Sequence, residues 1–114
     1  NLLLGTPQAD TITGGNNDDA LVGRDGADEL NGGGGDDSFL PWNSSAGPSV
    51  ATINGGAGFD RLYIKDSSSN FSSSGCTRSS CELKSSDEST TKAILLNTEM
   101  IVYRDTSIEL PETE

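Results

Sequence analysis

The sequence predicts an all-β chain built as a coil of short, stacked repeats. Three observations lead there: a nine-residue period, a glycine and an aspartate at fixed places within it, and an apolar residue two places after each aspartate. The rows are GTPQADTIT (5–13), GGNNDDALV (14–22), GRDGADELN (23–31), GGGGDDSFL (32–40) and GGAGFDRLY (55–63). Glycine opens all five as Gly5, Gly14, Gly23, Gly32 and Gly55, and aspartate holds the sixth place of all five as Asp10, Asp19, Asp28, Asp37 and Asp60. The eighth place is Ile12, Leu21, Leu30, Phe39 and Leu62, and Gly26, Gly35 and Gly58 fill the fourth place of three rows. A chain that is about one-tenth aspartate and one-eighth glycine does not produce fifteen such matches in fifteen places by chance.

Each place has a physical reason. The first six residues of a row must turn tightly, and glycine reaches the positive-φ conformations and close backbone approaches that such a turn needs. The last three form a very short strand whose eighth-place side chain points inward. A carboxylate recurring at one point of every turn supplies the hard anionic oxygen that Ca²⁺ takes into shells of six to eight oxygens. Asn1–Leu4 reads as the tail of an earlier row, with Leu3 in the apolar place. Between the fourth and last rows lie a five-residue insertion, Pro41–Ser45, and a degraded row, AGPSVATIN (46–54), which keeps Ile53 but has Ala51 where aspartate belongs.

The pattern GGxGxDxUx resembles the RTX family of calcium-binding nonapeptide repeats over residues 1–66. That resemblance implies a right-handed parallel β-roll, a calcium-bound β-solenoid in which two rows complete one turn and each row stacks on the row two further along. Asp10 then pairs with Asp28, Asp19 with Asp37, and Asp37 with Asp60. The family implies that each ion also takes turn carbonyls: Gly5 and Pro7 with Arg24 and Gly26 for the first site, and Gly14 and Asn16 with Gly33 and Gly35 for the second. For a third site they are Gly32 and Gly34 with Gly56 and Gly58. Two or three calcium ions are expected, the third depending on how the chain accommodates the insertion. No strong site is expected above Asp28, because the degraded row lacks its carboxylate there. Asp18, Asp25 and Asp36 stand outside the sixth place and read as solvated or supporting carboxylates.

Composition agrees once metal is considered. The formal charge is −11 and only 32% of residues are hydrophobic, figures that by themselves describe a chain too polar to fold. The acidic balance excludes a nucleic-acid binder, which needs a basic surface for phosphates. No apolar run approaches the ~20 residues of a membrane span. Stacked carboxylates repel without a cation, so the metal-free chain is expected to be disordered and to fold on binding calcium. The EF-hand spacing is absent, and Gly32–Gly35 is followed by no lysine before Lys65, which excludes a phosphate-binding loop.

Past Asp66 the composition changes. Residues 67–92 read as a serine-rich surface loop enclosing Cys76 and Cys81, whose spacing permits a small disulfide. Residues 93–114 carry three strand-like runs, Ala93–Leu96, Met100–Tyr103 and Ser107–Leu110, followed by an acidic tail, and are expected to cap the open end of the coil. Trp42 stands alone in the inserted loop as a partner anchor or a lid.

No histidine is present and every well-placed carboxylate falls in the repeat register, so no enzyme is expected. The reading that follows is a non-catalytic, calcium-folded structural or interaction module, an accessory part of a larger extracytoplasmic protein or assembly. It would have a protein partner or parent protein, with no nucleic acid and no membrane insertion. The alternative is the C-terminal export and folding module of a secreted adhesin, toxin or hydrolase.

Overall fold

A computed structural model describes residues 2–6, 8–24, 28–40, 50–65 and 67–112. Within them the chain is all-β apart from one short 3₁₀ turn at Ser68–Asn70. The strands are β1 (Leu2–Leu4), β2 (Thr11–Thr13), β3 (Ala20–Val22), β4 (Glu29–Asn31), β5 (Ser38–Leu40), β6 (Ala51–Asn54) and β7 (Arg61–Tyr63). They are followed by β8 (Phe71–Ser72), β9 (Ser80–Ser85), β10 (Thr91–Leu96), β11 (Met100–Val102) and β12 (Ser107–Glu109). In each intact row the strand occupies the last three places, as the row arithmetic requires.

Odd and even rows part into two six-stranded sheets, ordered β1-β3-β5-β7-β11-β12 and β2-β4-β6-β10-β9-β8. The row strands are parallel and pair eighteen residues apart where no insertion intervenes: Leu3 lies beside Leu21, Ile12 beside Leu30, and Leu21 beside Phe39. The same register survives the insertion, since Phe39 pairs with Leu62 and Leu30 with Ile53. A one-residue slip would turn every apolar side chain outward, so the single inward residue per row fixes the pairing.

Those residues form the core. Leu21, Leu30, Phe39, Ile53 and Leu62 are fully buried and share one cluster with Leu83, Leu95 and Ile101. The edge at β1 is different: Leu3 is half-buried, and Leu2 and Leu4 are exposed.

Beyond residue 66 the serine-rich segment departs from the expected loop. β9 crosses it as a six-residue strand and pairs antiparallel with β10, setting Cys81 beside Leu95. The physical reason is an alternation hidden by the serine count: Cys81 and Leu83 are buried while Ser80 and Glu82 are exposed. The Cys76 and Cys81 sulfurs stand at disulfide-bonding distance, 2.01 Å. Two of the three C-terminal runs extend the sheets in parallel, β10 on β6 and β11 on β7, and the third, β12, turns back antiparallel on β11. Trp42, the insertion 41–45 and the first four residues of the degraded row lie outside the described residues.

Candidate metal centre

The parallel register sets the sixth-place aspartates in two columns. In one, the backbone N–H of Asp10 donates to Oδ1 of Asp28 at 2.8 Å. In the other, Asp19 N–H donates to Asp37 Oδ1 at 2.8 Å and Asp37 N–H to Asp60 Oδ1 at 2.9 Å. Asp28, Asp37 and Asp60 thus each spend one oxygen holding the row before them. Asp19, Asp28, Asp37 and Asp60 are all buried, and Asp10 is half-buried.

The second oxygen separates the rows into two kinds. Asp10 Oδ2 accepts from Thr6 N–H at 2.6 Å, and Asp19 Oδ2 from Gly15 N–H at 2.9 Å. In the rows of Asp37 and Asp60 the second place takes the left-handed conformation, with φ of 84° at Gly33 and 78° at Gly56. There the equivalent N–H is not delivered to the carboxylate; Gly56 N–H goes instead to Asn54 Oδ1 at 3.1 Å. Among the described residues Asp37 Oδ2 and Asp60 Oδ2 are consequently buried with no hydrogen-bond donor, an arrangement that costs free energy unless a cation satisfies it.

The first-place glycines define where such a cation fits. A methyl group added to Gly14 would lie 2.6 Å from Gly32 O and 2.7 Å from Asp19 Oδ2. One added to Gly32 would lie 2.8 Å from Gly55 O and would overlap Asp37 Oδ2; one added to Gly5 would meet Gly23 O at 2.8 Å and Asp10 Oδ2 at 2.9 Å. In each cradle a carbonyl and a carboxylate converge on a spot that any larger residue would fill. The donors are all hard oxygens, the set that suits Ca²⁺. Among the described residues no three acidic, cysteine or histidine side chains converge, so an ion here would depend on carbonyls to complete its shell.

Electrostatics agree. Burial, and then the neighbouring charges of Glu99 and Asp37, push the Asp60 carboxyl up to about 8 against the pull of the Asp37 N–H. Burial likewise raises Asp37, with Asp19 and Asp18 adding like-charge repulsion. Asp19 is held below the usual carboxylate range, chiefly by the Gly15 N–H.

The register therefore brings together all three expected aspartate pairs, including Asp37 with Asp60 across the insertion. The carbonyls that face the cradles are those of Gly23, Gly32 and Gly55. Of the second-place carbonyls, Gly33 O accepts Ala57 N–H at 3.1 Å, and Arg24 takes a left-handed φ of 64°. Asn16, Gly34, Gly35 and Gly58 lie in the tightly stacked turns: Gly34 rests on Asn16, and a methyl on Gly58 would overlap Gly35 O. Pro7, Gly26 and Asp25 lie outside the described residues. Above Asp28 the column continues through buried Ala51 and Ala93, which add no carboxylate.

Two carboxylates outside the sixth place have a structural task. Asp36 N–H donates to Asp18 Oδ1 at 2.7 Å and Phe59 N–H to Asp36 Oδ1 at 2.8 Å, making a second, outer ladder along the same stack. The residue missed in the sequence is Glu99, whose Oε1 accepts Asp60 N–H at 2.6 Å. The available signal was an acid two places before an apolar residue, Glu99 before Ile101, as in every row.

Comparison with protein families gives a match to the RTX calcium-binding nonapeptide repeat, in four copies, over residues 2–39 and 47–63. No curated protein matches the chain.

Proposed function

Through residues 2–39 and 47–63 the chain belongs to the family of RTX calcium-binding nonapeptide repeats, and from that premise we propose a non-catalytic structural or interaction module that calcium folds into a right-handed parallel β-roll. The observation that carries this reading is the pair of buried carboxylate oxygens, Asp37 Oδ2 and Asp60 Oδ2, that no group among the described residues satisfies. Bound Ca²⁺ would supply the missing positive charge there and offset the repulsion between stacked carboxylates. Three row interfaces have the donors to hold an ion: Asp10 with Asp28, Asp19 with Asp37, and Asp37 with Asp60. Asp37 serves two of them.

On this reading β8–β10 and β11–β12 cap the coil, because their antiparallel pairings give each sheet a terminus different from a bare row. A calcium requirement and the Cys76–Cys81 pair favour a calcium-rich, oxidising setting outside the cytoplasm. Among the described residues no helix is long and apolar enough to cross a membrane. The exposed Leu2 and Leu4 on edge strand β1 support contact with a partner or a parent protein at that end.

Calcium titration of chelator-treated protein, followed by far-UV circular dichroism and calorimetry, tests the proposal. The expected result is a cooperative gain of β signal with saturable binding. A full β signal in excess chelator, with no calcium uptake, overturns it. A pull-down in calcium, repeated in chelator, tests the partner.

A further inference from the structure

Past its last glycine-rich row the chain repeats the hydrogen bonds of a row with half the turn. The rows of Asp37 and Asp60 are joined by Gly32 N–H to Asn54 O at 2.8 Å, Asp37 N–H to Asp60 Oδ1 at 2.9 Å, and Arg61 N–H to Asp37 O at 2.9 Å. The row of Asp60 meets the next segment in the same three ways. Gly55 N–H donates to Leu96 O at 2.9 Å, Asp60 N–H to Glu99 Oε1 at 2.6 Å, and Met100 N–H to Asp60 O at 3.2 Å. Asn97 thus stands where a first-place glycine would, and Glu99 where a sixth-place aspartate would, two residues apart instead of five. The left-handed φ of 52° at Asn97 and the extra methylene of glutamate make up the missing length.

The cradle is repeated as well. A methyl group on Gly55 would overlap Asn97 O and lie 2.5 Å from Asp60 Oδ2. Asp60 Oδ2 is buried, has no donor among the described residues, and is aimed at the point where the Asn97 carbonyl arrives. The short turn is held from behind, by Thr98 N–H to Arg78 O at 3.0 Å and Leu110 N–H to Glu99 O at 2.8 Å. Arg78, the basic residue beside it, turns its guanidinium to Glu109 at 2.8 Å and to Leu110 O at 2.8 Å.

We propose that Asp60 Oδ2, the Glu99 carboxylate and the Asn97 carbonyl form a further calcium site that closes the Asp19–Asp37–Asp60 column, with water completing the shell. The site rests on the calcium-binding reading above and adds one ion to the three row interfaces.

The test is native mass spectrometry and titration calorimetry of the full chain with Ca²⁺ alone, comparing wild type, Glu99→Gln and Asp10→Asn. Glu99→Gln retains an oxygen for Asp60 N–H while removing the charge and turning the second oxygen into an amide NH2. It is expected to bind one ion fewer, or to hold one ion at least about tenfold more weakly. Asp10→Asn loses a different ion, so the double variant loses both. Wild-type stoichiometry and affinity in Glu99→Gln overturn this site while leaving the calcium reading intact; no calcium uptake by wild type overturns both. If Glu99→Gln fails to show the β signal in calcium, Glu99→Asp decides. A folded Glu99→Asp with one weakened ion supports the site, and unchanged binding overturns it.

Discussion

Asp37 donates its backbone N–H to Asp60 at 2.9 Å and accepts at its own Oδ1 the N–H of Asp19 at 2.8 Å. One residue therefore joins three stacked rows, and its side chain faces two row interfaces. Asp37→Asn is expected to weaken calcium binding at both, shifting the midpoint of calcium-induced folding upward by about tenfold or more, equivalent to about 1.4 kcal/mol per decade. Asp10→Asn, at the end of the shorter column, is expected to shift it less. Calcium titrations followed by circular dichroism rank the two; equal shifts would contradict the shared role of Asp37.

The glycines divide into those that must be glycine and those that need not. Gly56 has φ of 78° and a methyl there would overlap Gly33 O, whereas a methyl on Gly15 meets nothing within 4 Å. Gly56→Ala is expected to destabilise the calcium-loaded fold by about 1–3 kcal/mol through overpacking and backbone strain. Gly15→Ala is expected to stay within about 0.5 kcal/mol of wild type. Chemical denaturation in saturating calcium measures both.

Acid and calcium should each relieve the buried charge of Asp60. Its carboxyl sits at about 8 in the metal-free fold against an ordinary 3.8. A raised value stabilises that fold fully below the ordinary value, and the stabilisation is lost as pH rises through about 8. The ionised Asp60 that prevails at neutral pH in the unfolded chain therefore opposes folding until calcium neutralises it. Calcium-free protein is expected to gain β signal as the pH is lowered from 8 toward 4, followed by circular dichroism in excess chelator. No gain of β signal over that window would argue that the buried charge of Asp60 is not what holds the calcium-free chain unfolded.

The cysteine pair should matter to the β9–β10 pairing and not to the ions. Cys76 and Cys81 close a small loop beside β10, and a loop that short is worth about 2 kcal/mol in the chain-entropy account. Replacing both with serine is expected to lower stability in calcium by about that amount and leave ion stoichiometry unchanged. Loss of an ion in the double-serine variant would show that this segment and the metal sites are coupled.

The rows were legible because each carries three fixed places, and the places dictate the rest. Leu21 beside Phe39 and Asp19 beneath Asp37 follow from the nine-residue period once the family resemblance sets two rows to a turn. Asp37 with Asp60 was harder to read, since only the structure shows that 23 residues can be spent while the register is kept. Glu99 was obscured because its turn is three residues long and lacks glycine, so no nine-residue alignment scores it. β9 was obscured for a different reason: serine tolerates both loop and strand, and only Cys81 and Leu83 carry the alternation. A turn is recognised by its strained places, and a compressed turn has fewer of them.

The two columns are unequal, and that inequality gives the coil a grain. One column runs from Asp19 to Glu99 on carboxylates; the other passes from Asp28 to the methyl groups of Ala51 and Ala93, which no cation can hold or release. When calcium is withdrawn, repulsion is switched on along the whole of the first column but in the second only between Asp10 and Asp28, whose neighbours Ala51 and Ala93 add none. Unfolding on calcium removal then begins along one seam, like a book opening on its spine.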